Sequence, residues 1–481
     1  MTRRTAINAG WVVAFDGLGH RLLRDGVVVV EGDRIVHVSR ATDAQPPGAI
    51  DETIDARDRV LTPGLITTHV HMAGSPLDRS FIEDRGSPQF WYSGLFEMLP
   101  VRGGAQDADA SRACVDFSMA ELLRGGVTTA LEIGGLGDYV VERAGHYGLR
   151  VYMGLGFRSG QWLTRDGTRV VWEWDEEAGR QGLKRAVAFL DKHDGAHGGL
   201  VRCALSPMQV DTCTPELLVD AKRVADEARR PYTVHTSQSV VEFNEMLQRH
   251  GKTPVAWLES LGVLGENTVL GHAIIVGGSS WTNYPAGDVA IMAESGCSVA
   301  HAPWVFMRRG IVLESFALYR SAGVNVALGT DTNPQSVIEA MRWAAVGSKI
   351  VERNTGATSA ADVFDAATLG GAQALGRDDL GRIAPGAAAD LVLWKARSWN
   401  MTPLRDPVKN LVYNATAEDV DRVWVAGRLV VDGGRVLAAD EAKILADLQG
   451  GGDRMWPRMK QFDWAGRGAD ELSPLSYREW A

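Results

Sequence analysis

Between residues 63 and 381 an apolar run of strand length is followed by a helix-like stretch, and the pattern recurs eight times. The strand-like runs are GLITTHVH, VTTALEIGG, RVYMGLGF, LVRCALSP, PYTVHTSQ, NTVLGHAI, GCSVAHAP and NVALGTDT. Between them lie segments such as TPELLVDAKRVADEARR, whose start carries a Thr cap (Thr214), a first-turn Pro215 and an early acid, Glu216. Strand–helix alternation on this scale predicts an α/β fold, a (β/α)₈ TIM barrel. An open doubly wound sheet is the competing arrangement. No Gly-x-Gly-x-x-Gly follows a strand to support a nucleotide-binding version of it.

The two ends have a different texture. GWVVAF, GVVVVEG and RIVHVS near the start, and AADLVLWKA and VDRVWVAGRLVVDGGRVL near the end, are Val-rich strands broken by Gly and Asp turns. Residues 1–62 and 382–440 are therefore expected to build one composite β-sandwich domain around the catalytic barrel of residues 63–381. Residues 441–481, with Gly-rich breaks and three Trp, are expected to form a C-terminal arm that packs on the body or on a neighbour.

A net charge of −10 argues against a nucleic-acid or polybasic membrane surface. The four cysteines, Cys114, Cys203, Cys213 and Cys297, show no Cys-x-x-Cys spacing and read as reduced, buried thiols. No apolar stretch reaches the length of a membrane span, and AINAGWVVAF lacks the pattern of a secretory leader. A cytoplasmic protein acting on a small molecule is expected, as a homodimer or higher homo-oligomer, with no nucleic-acid or membrane partner.

A barrel of this kind carries its active site at the C-terminal ends of the strands. His69 and His71 end the first strand run, one residue apart, so their imidazoles project to one face, as half of a metal site does. His235, His272, His301 and Asp331 end runs five to eight in turn. Six such groups converging on one rim are hard to explain as core filling.

These motifs, in order LTPGLITTHVHMAG, HTSQSVVEF, GHA, VAHAP and VALGTDTN, with the closing ALGRDDLGRIAPGAAADLVLW, resemble the metal-dependent amidohydrolase superfamily. The resemblance spans roughly residues 5 to 435. It is strongest to the branch of triazine hydrolases and purine or adenosylhomocysteine deaminases. It implies one divalent metal ion per chain, Zn²⁺ first, with Fe²⁺, Mn²⁺ or Co²⁺ as alternatives. His69, His71, His235 and Asp331 match its metal ligands, and His272 the histidine that contacts the water or the substrate oxygen. Three imidazoles and a carboxylate suit zinc with an open position for water. Asp331 is then placed to carry a proton from water to a leaving amine, and His272 to hold a developing oxyanion. The catalytic group is expected to be Asp331, His272, Gln238 and His301. Binuclear relatives need a bridging ligand on the fourth strand, usually a carbamylated Lys; LVRCALSP contains no Lys, so the resemblance implies one catalytic metal.

The chain departs from the branch at Gln238, where deaminases carry a Glu that protonates a substrate ring nitrogen. Glutamine hydrogen-bonds but does not titrate. Glu242, one turn on, is expected to point away. On this ground the favoured reading is a mononuclear hydrolase of a carbonyl C–N bond: an amide, urea, carbamate or thiocarbamate of a small aromatic or apolar molecule. Phenylurea and thiocarbamate hydrolases are the nearest likenesses for that reading, although they have Asn-x-His where this chain has His69. The alternative is an aminohydrolase, deaminase or dechlorinase, of an N-heterocycle such as a triazine or purine. PWVFMRRG after the seventh strand also departs from the branch. Trp91, Trp304 and Phe306, with Phe90 and Trp162, Trp172 and Trp174, are expected to make an aromatic pocket, and Arg308 or Arg309 to meet a substrate carboxylate.

Overall fold

A computed structural model describes residues 3–43, 48–74, 76–81, 86–91 and 93–480. The chain opens on β1 (Arg4–Phe15), β2 (His20–Glu31), β3 (Arg34–Arg40) and β4 (Glu52–Pro63). The eight alternating runs become β5 (Leu65–Val70), β6 (Val127–Gly134), β7 (Arg150–Phe157), β10 (Val201–Pro207), β11 (Tyr232–Thr236), β12 (Thr268–His272), β13 (Ser298–His301) and β14 (Asn325–Leu328). A hairpin of β8 (Gly160–Leu163) and β9 (Val171–Trp174) interrupts the series. Four strands close the sheet region: β15 (Leu391–Lys395), β16 (Val420–Val425), β17 (Arg428–Asp432) and β18 (Arg435–Val436).

The eight alternating strands are parallel and hydrogen-bonded in chain order. β5 and β14 meet to close the barrel: His71 N donates to Asp331 O (2.8 Å) and Thr330 N to His69 O (3.0 Å). The seam thus lies at the mouth and brings the polar ends of the first and last strands together. Thr214 does cap the helix Pro215–Ala228, its hydroxyl accepting from Leu217 N. All four cysteines are buried and unpaired. Among the described residues no helix is long and apolar enough to cross a membrane.

The terminal strands form one eight-stranded mixed sheet, ordered β18-β17-β16-β15-β4-β1-β2-β3. Val28, Val30 and Ile35 on one side of this order share a core with Leu391, Leu393 and Trp424 on the other, so the sheet curls over itself in the manner of a sandwich. The helix Glu441–Met455 lies on the helix Ala108–Arg124, with Arg454 on Asp107 (2.8 Å). Beyond it, Trp464 and Arg467 both donate to the buried Glu97 carboxylate (2.9 Å each) on the helix Leu95–Ala105.

Barrel and sheet are tied by a buried ion pair. Arg150 on β7 makes two bonds to Asp390, just before β15 (3.1 and 3.0 Å), and Asp390 also accepts from Ala426 N (2.7 Å). Truncating one partner leaves the other as an uncompensated buried charge. Arg150→Met is expected to cost about 3–5 kcal/mol, read as a lower urea midpoint, whereas Arg150→Met with Asp390→Leu is expected to recover most of it.

Candidate active site

The rim of the barrel gathers the residues that the strand ends single out. His71 Nδ1 donates to Ile133 O and His235 Nδ1 to Met208 O, each at 2.6 Å. Those bonds leave both Nε2 atoms as bare lone pairs, and they face each other at 3.1 Å. Two lone pairs that close repel unless a cation lies between them. Fully buried His69 has no partner among the described residues on either ring nitrogen. Asp331 presents Oδ1 to His71 Nε2 and Oδ2 to His272 Nε2, both at 3.6 Å. The ligand atoms of His69, His71 and His235, and those of His69, His272 and Asp331, form two overlapping sets, each within 4.8 Å.

Burial holds His69 and His272 well below the ordinary imidazole range and takes His235 down to about 3. Neutral imidazole is the form that binds metal. Asp331 itself sits at φ 59°, a left-handed conformation unfavourable for a side-chain-bearing residue and typical of functional sites. The donor set, the orphaned His69 nitrogens and the opposed lone pairs all fit a bound divalent ion.

Two glycines make room for His69. A Cβ on Gly271 would stand 2.6 Å from His69 Nδ1, and one on Gly329 would stand 2.9 Å from His69 Cβ. Gly271→Ala is expected to displace that ring and weaken zinc binding by about 10–100-fold, as loss of a ligand's support does. Competition with a chelator reads this directly. Of the candidate donors, His71, His235 and Asp331 open onto a cavity of about 360 Å³ that also has Gln238 and His272 in its wall.

The amidohydrolase family model matches residues 60–430. The chain belongs to the amidohydrolase family. It is similar to the 5'-deoxyadenosine deaminase of Methanothermobacter thermautotrophicus, 30% identical over 428 residues, covering 88% of this chain and 93% of that protein. The 5-methylthioadenosine/S-adenosylhomocysteine deaminase of Natronomonas pharaonis is 29% identical over 403 residues, 83% of this chain and 88% of that one. Among solved structures, an adenosine deaminase from Xanthomonas campestris with bound zinc superposes with a TM-score of 0.80 at 26% identity, covering 94% and 98% of the two chains. The atrazine chlorohydrolase of Arthrobacter aurescens, complexed with zinc, shares the fold (TM-score 0.79, 24% identity, 93% and 99% covered). This amidohydrolase is a metal-dependent hydrolase of C–N bonds other than peptide bonds.

The residues around the candidate donors fall partly where the sequence puts them. Phe306 lines the cavity of this amidohydrolase, its ring edge-on to His272 with centroids 4.6 Å apart. Trp162 lines it too, packed edge-to-face on Phe96. Trp304 and Arg308 do not line it; Val305, Phe306 and Arg309 do. The reason is local: Pro303–Met307 is a helix rather than an open loop, and residues three to four apart share a face. Trp304 turns to Trp343 instead (5.3 Å between centroids). Trp91 is also outside the cavity. It follows the turn Pro88–Phe90 at φ 55°, is half exposed, and borders a shallow depression with Val240, Asn244 and Trp281. Phe90 turns inward in its place, onto Phe96.

His301, expected in the catalytic group, is buried beside His272 and is not part of the cavity wall. Glu242 is likewise outside it, but bends back to accept the Ser237 and Gln238 backbone N–H groups. Several contributors have no sequence motif to announce them. Arg158, the Arg102–Asp78 ion pair, Met98 and Leu99 all reach the cavity. Glu132 did leave a signal, as an acid inside the apolar run VTTALEIGG. It is fully buried, accepts Met72 N at 2.6 Å beside His71, and burial pushes its carboxyl up to about 8.

Proposed function

We propose that this amidohydrolase binds one divalent ion, zinc by preference, and hydrolytically releases ammonia or an amine from a carbon of a small N-heterocycle. The supporting observation is Gln238. It lies in the cavity wall, 8% exposed, and its side-chain Nε2 has no hydrogen-bond partner among the described residues. A buried amide donor left open to a cavity needs a ligand acceptor, and a ring nitrogen supplies one. The relatives' named activities, deamination of 5'-deoxyadenosine and of 5-methylthioadenosine or S-adenosylhomocysteine, point the same way.

His69, His71, His235 and Asp331 would hold the ion. When bound, it acts as a Lewis acid that makes water nucleophilic near neutral pH. Asp331, its two oxygens directed to His71 and His272, takes the proton from the attacking water and gives it to the departing nitrogen. Neutral His272 offers a ring N–H to the oxygen gained by the reacting carbon. Phe306, packed against His272, keeps bulk water from that face. Gln238 donates to the ring nitrogen without protonating it, which suits electron-poor rings such as triazines better than purines. β10 contains no Lys to bridge a second ion.

A second reading, hydrolysis of an acyclic urea, carbamate or amide, is favoured by the same Gln238, because attack on a carbonyl needs no ring-protonating acid. An ammonia assay of zinc-loaded protein over aminotriazines, adenine nucleosides, phenylureas and carbamates separates the two. Wild type is expected to release ammonia from ring amines. Gln238→Glu is expected to improve purines over triazines by about 10²-fold, the low end of what a general acid contributes. Turnover confined to the acyclic carbonyl compounds contradicts the proposal and selects the second reading.

A further inference from the structure

Two fully buried carboxyls, Asp211 and Glu242, stand behind the cavity wall, and the described residues give neither a bonded cation. Arg249, which faces them, donates to the Asp211 main-chain carbonyl (3.0 Å), pairs with Glu245 (2.7 Å) and lies over the Trp172 and Trp174 rings. Burying a carboxyl without a cation is costly unless its oxygens are hydrogen-bonded.

The hydrogen bonds show how this is met. Asp211 Oδ2 accepts both indole N–H groups, from Trp162 (2.6 Å) and Trp172 (3.0 Å), while Oδ1 accepts nothing. Glu242 is occupied on both oxygens by consecutive backbone donors, Ser237 N (2.5 Å) and Gln238 N (3.1 Å). Ser237 is held at φ 54°, in the left-handed region, which turns the two N–H groups onto one carboxylate, the kind of backbone concavity that favours an anion. Burial raises both carboxyls above the usual range, and the mutual repulsion raises Glu242 further.

Each acid leads to one cavity residue: Asp211 to Trp162, Glu242 to Gln238. We propose that Asp211 and Glu242 are positioning residues, and that through Trp162 and Gln238 they set how the substrate's ring is held. The proposal rests on the reading that the cavity receives a ring, but its core can be tested without turnover.

The test uses full-length zinc-loaded protein with isotope-labelled indole nitrogens, as wild type, Asp211→Asn, Asp211→Leu and Trp162→Phe. Asparagine keeps an oxygen that accepts from both indoles. Asp211→Asn is therefore expected to leave the Trp162 and Trp172 N–H resonances in place and KM for the ring substrate within about threefold, as for a preserved hydrogen bond. Asp211→Leu is expected to move both resonances and raise KM more than about tenfold, with kcat and zinc content near wild type. Trp162→Phe keeps a ring, removes the donor and covers the case in which Asp211→Leu does not fold. It is expected to raise KM by about three- to tenfold. An unchanged KM in folded Asp211→Leu or in Trp162→Phe overturns the proposal, and so does Asp211→Asn behaving like Asp211→Leu. If wild type releases ammonia from no ring compound, the functional reading fails by itself. The indole resonances then decide the pair, and resonances that Asp211→Leu leaves unmoved overturn it.

Discussion

His71→Ala protein is expected to be isolated folded, without bound metal and without activity. His71 supplies one of two lone pairs that meet at 3.1 Å, and Ile133 O fixes its ring orientation. Alanine removes one of four donors, and the three left, His69, His235 and Asp331, are expected to hold the ion too weakly to survive purification. The activity loss is expected to be about 10³-fold or more, the several kcal/mol that Lewis-acid assistance contributes. His71 lies at the rim and is only partly buried, so the melting temperature of the metal-free form should stay close to that of metal-stripped wild type. Elemental analysis and circular dichroism on one preparation check both halves. Full metal content in His71→Ala would remove it from the ligand set.

Asp331→Asn is expected to separate metal binding from turnover. Asparagine presents an oxygen to the site but carries no proton, whereas the carboxylate reaches both His71 and His272. Turnover is expected to fall by about 10²–10⁴-fold, the range for losing a general acid–base, with metal at least partly retained. Rate and metal content must be measured on the same sample. A near-normal rate with normal metal content assigns the proton transfer to another group.

The barrel was legible because each strand is a short apolar run with a helix after it, and because its polar residues sit at the C-terminal end. That rule needs only the period of the sequence and the polarity of parallel barrels. The terminal sheet was legible from Val-rich runs at both ends, though not its closure into one eight-stranded sheet. Side chains beyond the strand ends were harder. Trp304 and Arg308 lost their places to Val305, Phe306 and Arg309 because a five-residue helix, unannounced by any periodicity, rotates the segment. Arg158, the helix Leu95–Ala105 and the Asp211 anchor converge through tertiary packing alone. Gln238 stands out in the sequence, yet its chemistry reads two ways: non-titrating, it favours a carbonyl substrate, while its unpartnered amide and the deaminase relatives favour a ring.

Anomalous scattering at the zinc edge from crystals of zinc-loaded protein decides whether a single catalytic ion sits at the seam of β5 and β14. One peak is expected, within bonding distance of His69, His71, His235 and Asp331, with about one equivalent of zinc per chain. Two peaks in the cavity, or none between those four residues, contradict it.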